Sequence, residues 1–263
     1  MATTTATARA LPGLALALLV ATALGCATTN PETQADKDRQ VRSHYEMAVN
    51  HLREGRTGIA IRELLAAHEI DPEDPWVHLA LAEAYRLKAH HAESEHHLKR
   101  ALALRPDLHA ATLNLSALYI QVGRYDEAIE LSRELLGDAT FPAPWKALTN
   151  QGYALYKLER RAEAREILGQ ALEYHENFWP ARLDLAILDQ DEGRHLEALE
   201  QLEAVLAQKP GSIARAEVNY RMATIYISLG NRAKAVHHLS AAAETRPSGE
   251  WGKRSEDYLK RLR

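Results

Sequence analysis

The chain has one cysteine, Cys26, in 263 residues. An internal disulfide is therefore impossible. Aromatic residues make up only 6%, and the formal net charge of −4 leaves no basic footprint for nucleic acid. The 26% of charged residues are interspersed rather than blocked. There is no His-Glu-x-x-His run, no phosphate-cradling glycine loop and no Gly-x-Ser-x-Gly elbow. Nothing in the sequence calls for an enzyme, a cofactor or a small-molecule substrate. The longest apolar run, Leu14–Val20 with Ala21–Leu24 extending it, falls short of the ~20 residues of a membrane span.

What is present is a ladder of small residues. Ala60, Ser94, Ala128, Ala164, Ala198 and Ala235 follow one another at steps of 34, 34, 36, 34 and 37 residues. Four residues after each come Leu64, Leu98, Ser132, Leu168, Leu202 and Leu239. Seven after come Ala67, Ala101, Leu135, Ala171, Val205 and Ala242. Spacings of four and seven put a column on one helical face. Twelve residues before each rung stand Ala48, Ala82, Ser116, Gly152, Ala186 and Ala223, all small. Two small columns on successive helices let their backbones approach closely. Gly55, Gly123, Gly193 and Gly230 sit where the first helix must end, suited to a left-handed cap. Pro72, Pro106, Pro210 and Pro247 follow the second helix and block its continuation.

This pattern resembles the tetratricopeptide repeat. It implies an all-α fold: a right-handed superhelical solenoid of six helix hairpins plus a capping helix. The repeats start near Val41, Pro75, His109, Trp145, Trp179 and Ala216 and fill residues 41–249. The cap covers 250–263, where Trp251, Tyr258, Leu259 and Leu262 fall on helical spacing. Repeat three departs from the pattern at Ser132 and Leu135, and Glu176 replaces an expected proline. The extra residues lie near Asp138–Pro144 and Lys209–Ala214, in inter-repeat loops. A stacked array offers a long curved surface, so protein binding is the expected activity.

Residues 1–25 read as a signal peptide, with Arg9 ahead of the apolar run. The run stops at Ala23-Leu24-Gly25-Cys26. That ending resembles a bacterial lipobox, although leucine stands one place later than usual. The resemblance implies lipidation of Cys26. Ala27 to Gln40 lacks apolar periodicity and reads as a flexible tether. Ala27 in place of an aspartate favours a Gram-negative outer membrane, with the chain lipid-anchored and facing the periplasm. Acyl chains hold such an anchor at about 0.8 kcal/mol per buried methylene.

The repeat resemblance also supplies the phase of the inner face. It selects Tyr45, Val49, Trp76, Leu79, Leu113, Asn114, Ile120, Asn150, Tyr153 and Tyr156 as a partner-binding groove. Asn114 and Asn150 suit hydrogen bonding to an extended peptide backbone. Trp145 and Trp179 read as wedges between repeats. Among thirteen histidines, His90, His91, His96 and His97 cluster, and His237-His238 repeats the phase of the last two. No pair in the cluster is spaced by three or four, so these read as solvated outer-face positions rather than metal ligands.

One segment narrows the resemblance. Asp138-Ala-Thr-Phe141-Pro142, followed by Asn150-Gln-Gly152-Tyr153, is similar to the type IV pilus lipoproteins PilF, PilW and Tgl. The similarity in residues is strong only over 136–153; in layout it runs from Cys26 to the end. It implies a pilotin, an adaptor that binds the secretin subunit and promotes its localisation and multimer assembly in the outer membrane, hence pilus biogenesis and motility. Asp138, Phe141 and Pro142 become candidate contact residues. A general envelope scaffold recruiting peptidoglycan enzymes is the rival binding reading. A metal or acid sensor built on His90–His97 is the rival of another class.

Overall fold

A computed structural model describes residues 31–262 and the isolated Ala2. The expected signal peptide, and Cys26 with it, lies outside the described residues. Within them the chain forms thirteen helices and no strand. The first helix of each hairpin is α1 (Pro31–Arg53), α3 (Pro75–Leu87), α5 (His109–Gln121), α7 (Pro144–Lys157), α9 (Trp179–Asp191) and α11 (Ser212–Ser228). Their partners are α2 (Thr57–Ile70), α4 (His91–Leu104), α6 (Tyr125–Gly137), α8 (Arg161–Tyr174), α10 (His195–Ala207) and α12 (Arg232–Thr245). The last helix, α13 (Glu250–Leu262), packs on α11 and α12. Among the described residues no helix is long and apolar enough to cross a membrane.

One expectation fails at the N-terminus. The tether was expected to run to Gln40, but residues 31–40 are the first turns of α1. Residues 33–40 are all exposed. They hold their turns through local contacts such as Gln34 Nε2 to Asp38 Oδ1 at 2.9 Å. A polar helix of this kind carries no apolar periodicity for a sequence reading to find.

The ladder is the core. Its six rungs are fully buried, and the columns four and seven residues later are at most 2% exposed. Each leucine buried there contributes about 1.5–3 kcal/mol. The small column on the first helices is equally closed. A β-carbon placed on Gly152 would lie 2.6 Å from Leu168 Cγ, so that rung accepts nothing larger than hydrogen. Ser132, the departure in repeat three, has a use. Its hydroxyl donates to Ala128 O at 2.8 Å and pairs with Ser116 Oγ at 3.0 Å.

Every hairpin turns through a left-handed residue. Gly55, Gly123, Gly193 and Gly230 have φ of 72° to 82°. The equivalent positions in repeats two and four are Ala89 and Glu159, at φ 58° and 60°.

A polar contact recurs at a separation of 19 residues between the two helices of a hairpin. It joins His44 to Glu63 (2.8 Å), His78 to His97 (2.8 Å), Arg182 to Gln201 (2.9 Å) and Asn219 to His238 (2.9 Å). His97 and His238 are therefore half-buried bonding partners rather than the solvated residues expected, while His90, His96 and His237 are exposed.

Curvature follows from which helices touch. First helices of successive repeats contact one another from α1 through α9, whereas second helices of successive repeats do not. The first helices therefore crowd the inner, concave side of a superhelix, and the second helices fan out on its convex side.

Candidate functional site

The N-terminal half of the concave layer carries an exposed tryptophan. Asp74 caps α3: its carboxylate accepts from Trp76 N at 2.7 Å and Val77 N at 3.2 Å, with Pro75 in the first helical position. This cap fixes the backbone from which Trp76 projects. Trp76 is 44% exposed and offers a large aromatic surface on the inner face. The Arg105 guanidinium lies 5.6 Å from its ring centroid.

Trp76 is the ridge between two cavities. On one side a cavity of about 670 Å3 is lined by Asp38, Arg42, Tyr45, Glu46 and Asp74. On the other, a cleft of about 460 Å3 is lined by Trp76, Arg105, His109, Leu113, Phe141, Pro142 and Lys146 among others. The second cleft joins two sets of candidates, Trp76 and Leu113 from the inner face and Phe141 and Pro142 from the loop.

The loop is held in that position by Asp138. Its Oδ1 accepts from Thr140 N at 2.8 Å and Thr140 Oγ1 at 2.7 Å, closing an Asx turn. Its Oδ2 accepts from His109 Nε2 at 2.7 Å. The Thr140 hydroxyl and amide, then His109, bring its carboxyl down to about 2. The His109 ring meets Phe141 edge-on at 5.5 Å. One histidine thus ties α5 to both ends of the motif. Asp138 is consequently a positioning residue for the cleft wall. Lys146 forms no ion pair among the described residues and adds a free cation to a rim where Arg105 is already paired with Asp107 at 3.8 Å.

The other candidates divide. Asn114 is half-buried and makes no hydrogen bond among the described residues, so its amide is open to a ligand. Asn150 is engaged instead: its Nδ2 donates to Leu113 O at 3.4 Å and Ser116 Oγ at 3.3 Å, bridging α7 to α5. Tyr156 likewise donates its hydroxyl to Asp191 Oδ2 at 2.5 Å, linking α7 to α9. Leu79 and Ile120 pack onto the central core. Val49 is half-buried on α1 and lines neither cavity. Tyr153 stands 5.9 Å from Tyr156. Trp145 and Trp179 pack between repeats, as expected of wedges.

Arg105 and His109 were not candidates on sequence. His109 opens a repeat and Arg105 ends a helix, and neither position carries a signal until the loop folds back on them. The expected His90–His97 cluster is replaced by another. His68, His78 and His97 come together from three helices, with ring centroids 5.0 to 6.2 Å apart. Among the described residues no three histidine, cysteine or acidic side chains are arranged to hold a metal ion.

Known proteins bear on this geometry. Two sequence families described as tetratricopeptide repeat match the chain, one over residues 88–151 and 189–252 and the other over 149–213. Together they span more than half of it. The type IV pilus assembly protein PilF of Pseudomonas aeruginosa is 26% identical over 206 residues, covering 76% of this chain and 81% of PilF. The crystal structure of PilW, described as a widely conserved type IV pilus biogenesis factor, superposes with a TM-score of 0.68 at 21% identity, over 81% of this chain and 97% of PilW. The structure of P. aeruginosa PilF superposes with a TM-score of 0.63 at 20% identity, over 85% of this chain and 99% of that one. At these identities the structural likenesses establish the fold.

Proposed function

This chain belongs to the tetratricopeptide-repeat family, and from that premise we propose that it is a pilotin of the type IV pilus. In this reading Cys26 is lipidated and anchors the chain in the outer membrane, facing the periplasm. The concave face then holds a segment of the secretin subunit and promotes its multimer assembly.

One observation carries the proposal. The similarity to PilF covers 76% of the chain, and a stretch of that length necessarily crosses the Asp138–Pro142 loop. It is therefore similarity of a whole array rather than of one repeat. The geometry supplies a mechanism. The Trp76 ridge with its two cavities offers apolar and aromatic surface to a partner segment that would otherwise aggregate, and Asn114 offers an amide to its backbone. Burial of that surface supplies affinity, while the flanking Arg105 and Lys146 supply orientation.

Deleting the gene tests the reading. Loss of heat-resistant secretin multimers and of pilus-dependent motility is expected, and normal multimers would overturn it. Cys26→Ser tests the anchor separately: the variant should leave the outer-membrane fraction.

A further inference from the structure

The two spaces beside Trp76 carry opposite charge. The cavity of about 670 Å3 on the α1 side holds the carboxylates of Asp38, Glu46 and Asp74 against the single guanidinium of Arg42. The cleft of about 460 Å3 on the other side holds Arg105 and Lys146 against Asp107 alone. A charged group on a bound segment is therefore accepted on one side of the ridge and repelled on the other.

The charges of the cleft are not equally available. Arg105 pairs with Asp107 at 3.8 Å, and its guanidinium stands 5.6 Å from the Trp76 ring centroid. His109 Nε2 is committed to Asp138 at 2.7 Å, so that carboxylate is matched as well. Lys146 is left over. It stands exposed in the first turn of α7, and its ammonium forms no hydrogen bond or ion pair among the described residues. Trp76, Leu113, Phe141 and Pro142 supply the apolar walls beside it. Those walls are fixed in place: the Asp138 turn holds the loop through Thr140 N at 2.8 Å, and the His109 ring meets Phe141 edge-on at 5.5 Å. The volume falls within the ~300–1,000 Å3 of pockets that enclose a ligand.

An unpaired ammonium beside rigid apolar walls suits a carboxylate carried next to a large apolar side chain. We propose that the cleft selects an internal acidic residue of the bound segment. A large apolar side chain fills the space between Trp76, Leu113 and Phe141, and an aspartate or glutamate two residues away meets Lys146. Two residues is the interval at which side chains of an extended chain share a face. The three carboxylates on the α1 side repel the same acid, so its charge also fixes the register of the segment at Trp76. The inference rests on the reading above that the concave face holds a protein segment. It adds a requirement on that segment: the acid lies on the side of repeats three and four, not on the side of repeat one.

The test uses the full folded chain and two synthetic peptides, acetyl-Leu-Phe-Ser-Glu-Leu-amide and its glutamine analogue. NMR titration is followed at the Trp76 indole N–H and the Lys146 ε-methylene. Both peptides should move the Trp76 signal, and only the glutamate peptide should move the Lys146 signal. The glutamine peptide should bind about fivefold more weakly, the upper end for an ion pair open to solvent on one side. High salt should close that gap. Lys146→Gln should make the two peptides equal, and Lys146→Arg should keep the difference; neither variant should change the melting temperature. Arg105 is the competing cation, so a preference that survives in Lys146→Gln overturns the assignment. So does equal binding of the two peptides to the unaltered chain, or failure of both to move Trp76. The pilotin reading stands or falls on secretin multimers in cells. A chain that prefers the glutamate peptide but whose deletion leaves multimers intact keeps this inference and loses that one.

Discussion

The Nδ1 atoms of His78 and His97 lie 2.8 Å apart across the α3–α4 hairpin, and the proton between them belongs to His97. His78 Nε2 faces Pro72 O at 3.0 Å. A carbonyl only accepts, so Nε2 carries the hydrogen of neutral His78 and its Nδ1 is left as the acceptor. Tyr85 stacks on His97 at 5.6 Å, and His68, His96 and Arg100 face the pair. Protonation of His78 breaks the bond, because both Nδ1 atoms would then carry a hydrogen, and protonation of His97 puts a charge into a half-buried cluster of rings.

Acid should therefore loosen the N-terminal repeats. Burial, then the neighbouring histidines, lower His97 to about 4, and burial lowers His78 as well. A base whose folded value is depressed contributes stability that is present above its unfolded value of about 6.5. That contribution is lost as pH falls through about 4. The melting temperature is expected to drop between pH 7 and pH 4, and less steeply in His97→Gln. A parallel drop in both proteins would mean that other groups, His238 among them, dominate.

Gly152→Ala should cost about 1–3 kcal/mol, the range for overpacking a closed core. The added carbon would meet Leu168 Cγ at 2.6 Å. At about 2–4 °C per kcal/mol, differential scanning calorimetry resolves the loss. Combined with Leu168→Ala, which empties a fully buried position, the loss should be smaller than the sum of the two single losses, since the clash is with that side chain.

Ala89→Gly should stabilise the chain by about 0.5–1 kcal/mol. Ala89 occupies the left-handed turn at φ 58°, a conformation that penalises a β-carbon by more than glycine loses in unfolded-state entropy. Gly123→Ala, at φ 82° with open space around it, should shift the urea midpoint by a similar amount in the opposite direction.

Trp76→Ala should separate binding from folding. The ring is 44% exposed, so its removal should change the melting temperature by no more than a few degrees. Under the proposed function, secretin multimers should nevertheless fall sharply. Asp138→Ala should act more weakly in the same assay, because it displaces the Phe141 wall without removing the Trp76 ridge.

The acidic limb offers a separate check on the loop. The Thr140 and His109 hydrogen bonds depress the Asp138 carboxyl to about 2. The order they impose is fully present above the unfolded value of about 3.9 and disappears as pH falls through about 2. NMR of the Thr140 amide should lose its downfield shift in that window and keep it at pH 5.

Periodicity alone determined the hairpins, because stacking repeats must bury the same face at the same spacing, and Ala60 through Ala235 record that demand directly. The left-handed turns at Ala89 and Glu159 were not legible, since only glycine advertises the conformation. Tertiary structure decided the site. Asp138 and Phe141 meet His109, and Phe141 comes to share a cleft with Trp76, only after loop and helices pack, and contacts between residues so distant in the chain leave no spacing to read. It also decided which polar groups remain available. Asn150 and Tyr156 spend their hydrogen bonds on neighbouring repeats, while half-buried Asn114 keeps its own, because partners for a polar group inside the array are chosen by the packing of the whole array.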